Sequence, residues 1–160
     1  MNTRILLADD HKLMREGLRA LLEKDPDIEV IGESVDGHAA VALAREFRPD
    51  IVVMDITMPN LNGIEATRQI TVNFPEVRVI GLSMHFDRHF VMRMIRAGAK
   101  GYLRKDCASE ELIEAIRVVK GNKLYISPHL GFPVSKIVFN SSELSSFIAS
   151  SILTDRKSVV

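Results

Sequence analysis

Five side chains in this 160-residue chain combine reactive chemistry with a spacing that could bring them together: Asp9, Asp10, Asp55, Ser83 and Lys105. Each follows a short strand-like run. Arg4–Ala8 ends at Asp9-Asp10, Ile51–Met54 at Asp55, Val77–Leu82 at Ser83, and Gly101–Arg104 at Lys105. Apolar runs of this length with β-branched residues read as buried strands. If those strands lie parallel in one sheet, one edge collects three carboxylates, a hydroxyl and an ammonium. Three carboxylates within a few ångströms repel and do not all stay ionised unaided. A hard dication resolves that repulsion, and Mg2+ favours carboxylates, waters and phosphate oxygens. The ammonium and the hydroxyl could receive a tetrahedral anion beside the metal. Such a set suits phosphoryl transfer to a carboxylate nucleophile.

The segments between those runs have to hold the strand ends together. Leu13, Leu18, Leu21 and Leu22 recur at helical spacing until Asp25-Pro26 stops them. Ile28–Glu33 alternates apolar and polar, as a half-covered edge strand does. Helices are expected over Ala39–Phe47, from Gly63 to about Asn73, and through Phe90, Val91, Met94 and Ile95 to a stop at Gly98. Ser109 is a fitting N-cap for a last helix, with Glu110 and Glu111 at its positive end. Leu112, Ile113, Ile116 and Val119 form the expected core face, leaving Ala115 and Val118 exposed. Strict β-α alternation implies an α/β fold with a doubly wound parallel sheet covered on both faces. Such sheets bind ligands beyond the carboxyl ends of their strands.

Composition excludes several alternatives. The chain is 46% hydrophobic and 26% charged, with 21 basic against 21 acidic residues, values of an ordinary globular protein. Zero net charge gives no long-range argument for nucleic acid. The longest apolar run, Ala39 to Ala44, is far shorter than the ~20 residues of a membrane span. Two carboxylates arrive too early for a signal-peptide core. Together these imply a cytoplasmic protein with no membrane role. One cysteine, Cys107, excludes an intrachain disulfide and a cysteine-based zinc site. His11, His38, His85 and His89 show no ligand spacing, and the methionines read as core filler. Residues 1–122 hold 17 Lys/Arg and 19 Asp/Glu, whereas residues 123–160 hold 4 and 2. Serine rises from three before that point to nine after it, so a boundary is expected near Gly121.

Over residues 1–122 the chain resembles the receiver domain of bacterial two-component response regulators. The resemblance rests on Asp9-Asp10-His11, Met54-Asp55-Ile56-Thr57-Met58-Pro59, Gly63, Leu82-Ser83, Ala97-Gly98-Ala99-Lys100-Gly101-Tyr102-Leu103 and Lys105-Asp106. Several details are most similar to the NarL/FixJ-like subfamily with a LuxR-type output: Asp-Asp-His, the Gly98–Asp106 run, and Leu124-Tyr125-Ile126-Ser127. The resemblance implies a flavodoxin-like (βα)5 sheet of order 2-1-3-4-5. It implies that Asp55 is the phosphoacceptor, charged by a sensor histidine kinase. Asp10, Asp55 and the backbone carbonyl of Thr57 would hold Mg2+, with Asp9 acting through a water. Lys105 would neutralise the phosphoryl group and Ser83 would hydrogen-bond it. Tyr102 would be the aromatic that moves inward with Ser83, a two-state element biased by added negative charge. Thr57 and His85 would border the site and tune phosphate lifetime. No enzymatic turnover is implied beyond self-phosphorylation and slow self-dephosphorylation. Asp106 stands where many receivers carry proline. Arg88, Arg93, Arg96, Lys100 and Arg104 load the usual output and dimer face with positive charge, as a solvated face would also do. A homodimer is therefore a candidate state.

Residues 123–160 read as a linker. Asn140 and Glu143 resemble a capping box, and Leu144, Phe147, Ile148 and Ile152 share a face, so a helix is expected over 140–153. Leu153-Thr154-Asp155-Arg156 resembles the opening of a LuxR-type DNA-binding domain, but the four residues after Arg156 do not continue the pattern and cannot supply a helix-turn-helix. DNA contact is thus expected only through an absent or truncated output domain. Three other readings stand beside the transcriptional switch. A stand-alone receiver could be an interaction module or phosphate sink. A haloacid-dehalogenase-type phosphatase would want a second acid where Thr57 stands. A flavodoxin-like cofactor carrier would want a phosphate loop after the first strand, which this chain lacks.

Overall fold

The computed structural model describes residues 2–84, 88–107, 109–127 and 137–139. In chain order the elements are β1 (Thr3–Ala8), α1 (Lys12–Leu22), β2 (Ile28–Ser34), α2 (Gly37–Phe47), β3 (Ile51–Asp55) and α3 (Gly63–Asn73). There follow β4 (Arg78–Ser83), α4 (Arg88–Arg96), β5 (Gly101–Arg104), α5 (Ser109–Lys120), β6 (Leu124–Ile126) and β7 (Ile137–Phe139). The sheet order is β2-β1-β3-β4-β5-β6-β7. The first six strands are parallel and β7 pairs antiparallel with β6. The expected order 2-1-3-4-5 is present, and the chain adds strands beyond it.

Side-chain alternation along each strand divides the interior into two layers. Leu6, Ala8, Val52, Met54 and Val79 pack with Ala40 and Ala44 of α2, Ile64 and Ile70 of α3, and Val91 and Met94 of α4. Ile5, Leu7, Ile51, Val53, Ile80 and Leu82 face the other way, against Leu22 of α1 and Leu112, Ile116 and Val119 of α5. Helices on both faces are what right-handed crossovers between parallel strands require. The strand ends are thereby left open as one edge.

The helix boundaries have local causes. Asp36 caps α2 by accepting from Ala39 N at 2.8 Å, and Arg48 ends it in the left-handed region at φ 45° before Pro49. Asn62 caps α3 by accepting from Glu65 N at 3.0 Å. Gly98 ends the α4 segment at φ +102°, and a Cβ there would meet the Thr71 side chain.

Three expectations are corrected. Leu13 is 84% exposed, because it stands half a turn around α1 from the buried Leu22. Met14 and Arg15 of the same turn are half-buried, so the turn is covered and Leu13 is on its outer side. Ala115 is buried rather than exposed, because α5 uses the wide face Leu112, Ala115, Ile116 and Val119 and the small side chain permits close approach to the sheet. Ser109 opens α5 rather than preceding it. After α5, Leu124, Tyr125 and Ile126 are buried, and Tyr125 pairs with Gly101. The expected helix over 140–153 and His85 lie outside the described residues. Among the described residues no helix is long and apolar enough to cross a membrane.

Candidate functional site

Strands β1 and β3 and the residue after β5 deliver charge to one notch at the carboxyl edge. Asp9 and Asp55 are each only 2% exposed. Lys105 Nζ lies 2.9 Å from Asp9 Oδ2 and 3.2 Å from Asp55 Oδ2. Residues from three separate crossovers converge because adjacent parallel strands end level: Ala8 pairs with Met54, Asp55 with Leu82, and Ser83 with Arg104.

Each member is held by its own loop. Asp9 N donates to the Ser34 carbonyl at 3.1 Å, and Asp9 Oδ1 accepts from His11 N at 2.8 Å, which fixes the turn into α1. Arg15 Nη1 donates to the Asp9 carbonyl at 2.7 Å, while its Nε lies 3.3 Å from Glu33 Oε1. Asp55 Oδ1 accepts from Thr57 N at 3.2 Å and from the Thr57 hydroxyl at 3.4 Å. The following turn folds back so that Gly63 N donates to Ile56 O at 2.8 Å, and any Cβ at Gly63 would collide with the Asp55 carbonyl. Only glycine permits that approach. Lys105 N donates to the Ser83 carbonyl at 2.9 Å, tying the lysine loop to the end of β4.

The electrostatics are unbalanced. Burial and the neighbouring Asp9 carboxylate push the Asp55 carboxyl above the usual aspartate range, with Lys105 and the Thr57 amide opposing. Burial alone would lower the Lys105 ammonium, but its contacts to Asp9 and Asp55 outweigh that and hold it above its ordinary value. One ammonium therefore faces two buried carboxylates, with the partly exposed Asp10 beside them. Asp9 Oδ2 and Asp55 Oδ2 are buried and have no hydrogen bond within the protein beyond their charge contact with Lys105. Buried carboxylate oxygens left in this state call for a further cation. The donor set, hard carboxylate oxygens at an open sheet edge, fits Mg2+.

The structure thus brings together Asp9, Asp55 and Lys105 as the sequence suggested, with Thr57 bonded to Asp55. Asp10 belongs to the same acidic cluster. Ser83 is buried at the end of β4. Tyr102 is already fully inside, in the layer that includes Met94 and Ile126. Two residues escaped the sequence reading. His11, dismissed for want of ligand spacing, joins the cluster: its Nδ1 is 3.0 Å from Asp9 Oδ1 and 3.2 Å from Asp10 Oδ1. Arg15 fixes the acidic loop through a backbone carbonyl. Adjacency to the acids could have flagged His11, and Arg15 lies one helical turn further on.

Residues 5–117 match the family model described as the response regulator receiver domain. The chain is 43% identical over 124 residues to the transcriptional regulatory protein DegU of Brevibacillus brevis, covering 78% of this chain and 52% of that protein. It is 34% identical over 154 residues to the response regulator GacA of Pseudomonas protegens, covering 96% of this chain and 71% of that protein. A solved two-component response regulator of the LuxR family from Aurantimonas sp. SI85-9A1 superposes with TM-score 0.78 at 40% identity, over 81% of this chain and 93% of that one. The chain thus spans about half the length of DegU.

Proposed function

This chain belongs to the response regulator receiver family of two-component systems, and on that premise we propose that Asp55 accepts a phosphoryl group as an acyl phosphate. The observation that carries the reading is the Lys105 ammonium, set 2.9 Å from Asp9 Oδ2 and 3.2 Å from Asp55 Oδ2 in a buried notch that is short of positive charge. The donor is a phosphohistidine of a sensor kinase. A carboxylate oxygen of Asp55 attacks phosphorus, the P–N bond breaks, and the histidine leaves as neutral imidazole after taking up a proton.

Asp9, Asp10, Asp55 and the Thr57 backbone carbonyl would hold Mg2+, which supplies positive charge against the phosphoryl oxygens. Lys105 exchanges its contact with the Asp55 carboxylate for the new phosphoryl oxygens, and it remains paired with Asp9. Ser83 donates its hydroxyl to the phosphoryl group. Thr57 borders the site and, through its bonds to Asp55, orients the nucleophile. Tyr102 reports the change to the β4–β5 face. The added charge of about −2 biases that two-state element. The protein performs no other turnover. It acts in the cytoplasm, its phosphorylated form self-associates, and DNA is addressed only through an output domain of helix-turn-helix type.

The test is incubation with Mg2+ and a small phosphodonor, read by intact mass. The expected result is one phosphoryl group per chain on wild type and none on Asp55→Ala. An equal gain on Asp55→Ala, or none on wild type, rejects the reading. Repeated hydrolysis of a phosphate monoester would identify a phosphatase instead.

A further inference from the structure

Mg2+ does not explain one member of the acidic cluster. His11 presents Nδ1 toward the acids, 3.0 Å from Asp9 Oδ1 and 3.2 Å from Asp10 Oδ1, while the imidazole as a whole is 65% exposed at the rim. All four residues, Asp9, Asp10, His11 and Asp55, offer ligand atoms within 4.8 Å of one another. Hard Mg2+ selects oxygen and gains little from imidazole, whereas Ni2+ and Zn2+ bind it well.

We propose that His11 makes this notch a site for imidazole-binding divalent transition ions, of which Ni2+ and Zn2+ are the type, in competition with Mg2+. The inference rests on the acidic notch being the metal site of the phosphoacceptor. Three features support it. First, two ligands on one octahedral ion with bonds of about 2.1 Å stand about 3.0 Å apart, so the His11–Asp9 and His11–Asp10 separations of 3.0 and 3.2 Å need little change. Second, Asp9 divides its labour: Oδ1 faces His11, while Oδ2 faces Lys105 and has no hydrogen bond. An ion on the Oδ1 side therefore leaves the Lys105 pair in place. Third, coordination through Nδ1 leaves Nε2 free, and that nitrogen belongs to a ring largely in water, so it needs no buried partner.

The consequence is regulatory. A transition ion held by Asp9, Asp10 and His11 takes two of the carboxylates that Mg2+ requires, so it sets how much of the protein is ready to receive phosphate.

The test is calorimetric titration of the untagged full chain with Ni2+ and with Mg2+ separately, at mildly alkaline pH, for wild type, His11→Ala and His11→Gln. Ni2+ titrations are repeated with Mg2+ present. The expected result is a Ni2+ site on wild type that Mg2+ displaces, with the Ni2+-to-Mg2+ affinity ratio falling about tenfold or more in both variants. An unchanged ratio shows that the carboxylates alone bind Ni2+ and overturns the proposal. A Ni2+ site that Mg2+ does not displace belongs to another histidine and also overturns it. If wild type binds no Mg2+ at all, the underlying metal assignment falls as well, which separates the two failures.

Discussion

Asp50 precedes the five-residue strand β3 and Asp55 ends it, and their surroundings are opposite. Asp50, just before the amino end, is engaged by side chain and backbone: its Oδ2 accepts from Arg4 N at 2.8 Å, its own N donates to the Arg4 carbonyl at 2.9 Å, and its carbonyl accepts from Arg78 N at 3.1 Å. Around it Arg4 Nη1 donates to the Arg48 carbonyl at 3.0 Å, and Lys120 Nζ donates to Thr3 Oγ1 at 2.8 Å. That edge uses its polar groups to close strand and loop ends. Asp55, at the carboxyl end, is buried against a like charge, shares one ammonium with Asp9, and has one oxygen without a hydrogen bond. Satisfied polar groups stabilise a fold, whereas local conflict of this kind collects at functional sites. The same strand therefore closes the fold at one end and leaves an unbalanced pair of buried carboxylates at the other.

The contrast can be broken most severely at Lys105. Replacing it, as in Lys105→Met, leaves Asp9 and Asp55 facing each other without a cation. This variant should lose roughly 3 kcal/mol of stability at neutral pH, measured by denaturant unfolding. Much of that loss should return in acid, where Asp55 protonates. At the opposite edge, Asp50→Ala leaves the Arg4 amide without its acceptor and should cost about 1 kcal/mol, with Mg2+ affinity unchanged. A shift in Mg2+ affinity there would show that the two edges are not independent.

Asp55→Asn should act with the opposite sign, stabilising the fold by on the order of 1 kcal/mol at neutral pH, since it removes a buried like charge while Lys105 keeps Asp9. The pH dependence fixes the cause. A raised folded-state value means the native protein holds that proton more tightly than the unfolded chain does. The penalty is absent below the ordinary aspartate value of 3.8, grows as pH rises toward the raised value, and is complete above it. The advantage of Asp55→Asn over wild type should follow that rise. An advantage independent of pH would assign the effect to packing instead.

How far the sequence reveals this depends on what each residue answers to. Asp9, Asp55 and Lys105 are legible because each follows an apolar run, and parallel strands of similar length end together. Ala115 is passed over because a small side chain carries little apolar weight although it stands three residues after Leu112, and Leu13 misleads because a leucine half a turn off the buried face still reads as apolar. Strand β6 hides in three residues after a tight turn, where Asn122 takes φ 61°. Its place in the sheet comes from pairing with β5 rather than from its own pattern. Arg15 is hidden because its partner is a backbone carbonyl, which no side-chain motif records. His11 is hidden because neighbours in sequence seldom face one site, and here the turn before α1 brings three consecutive residues around one point.

On the proposed reading, the unbalanced edge carries a phosphate on Asp55. Borohydride reduces an aspartyl phosphate to homoserine, so peptide mass spectrometry after phosphodonor, Mg2+ and borohydride names the acceptor. Homoserine is expected at position 55 alone. Homoserine at position 9 or 10, or at no position, would contradict it.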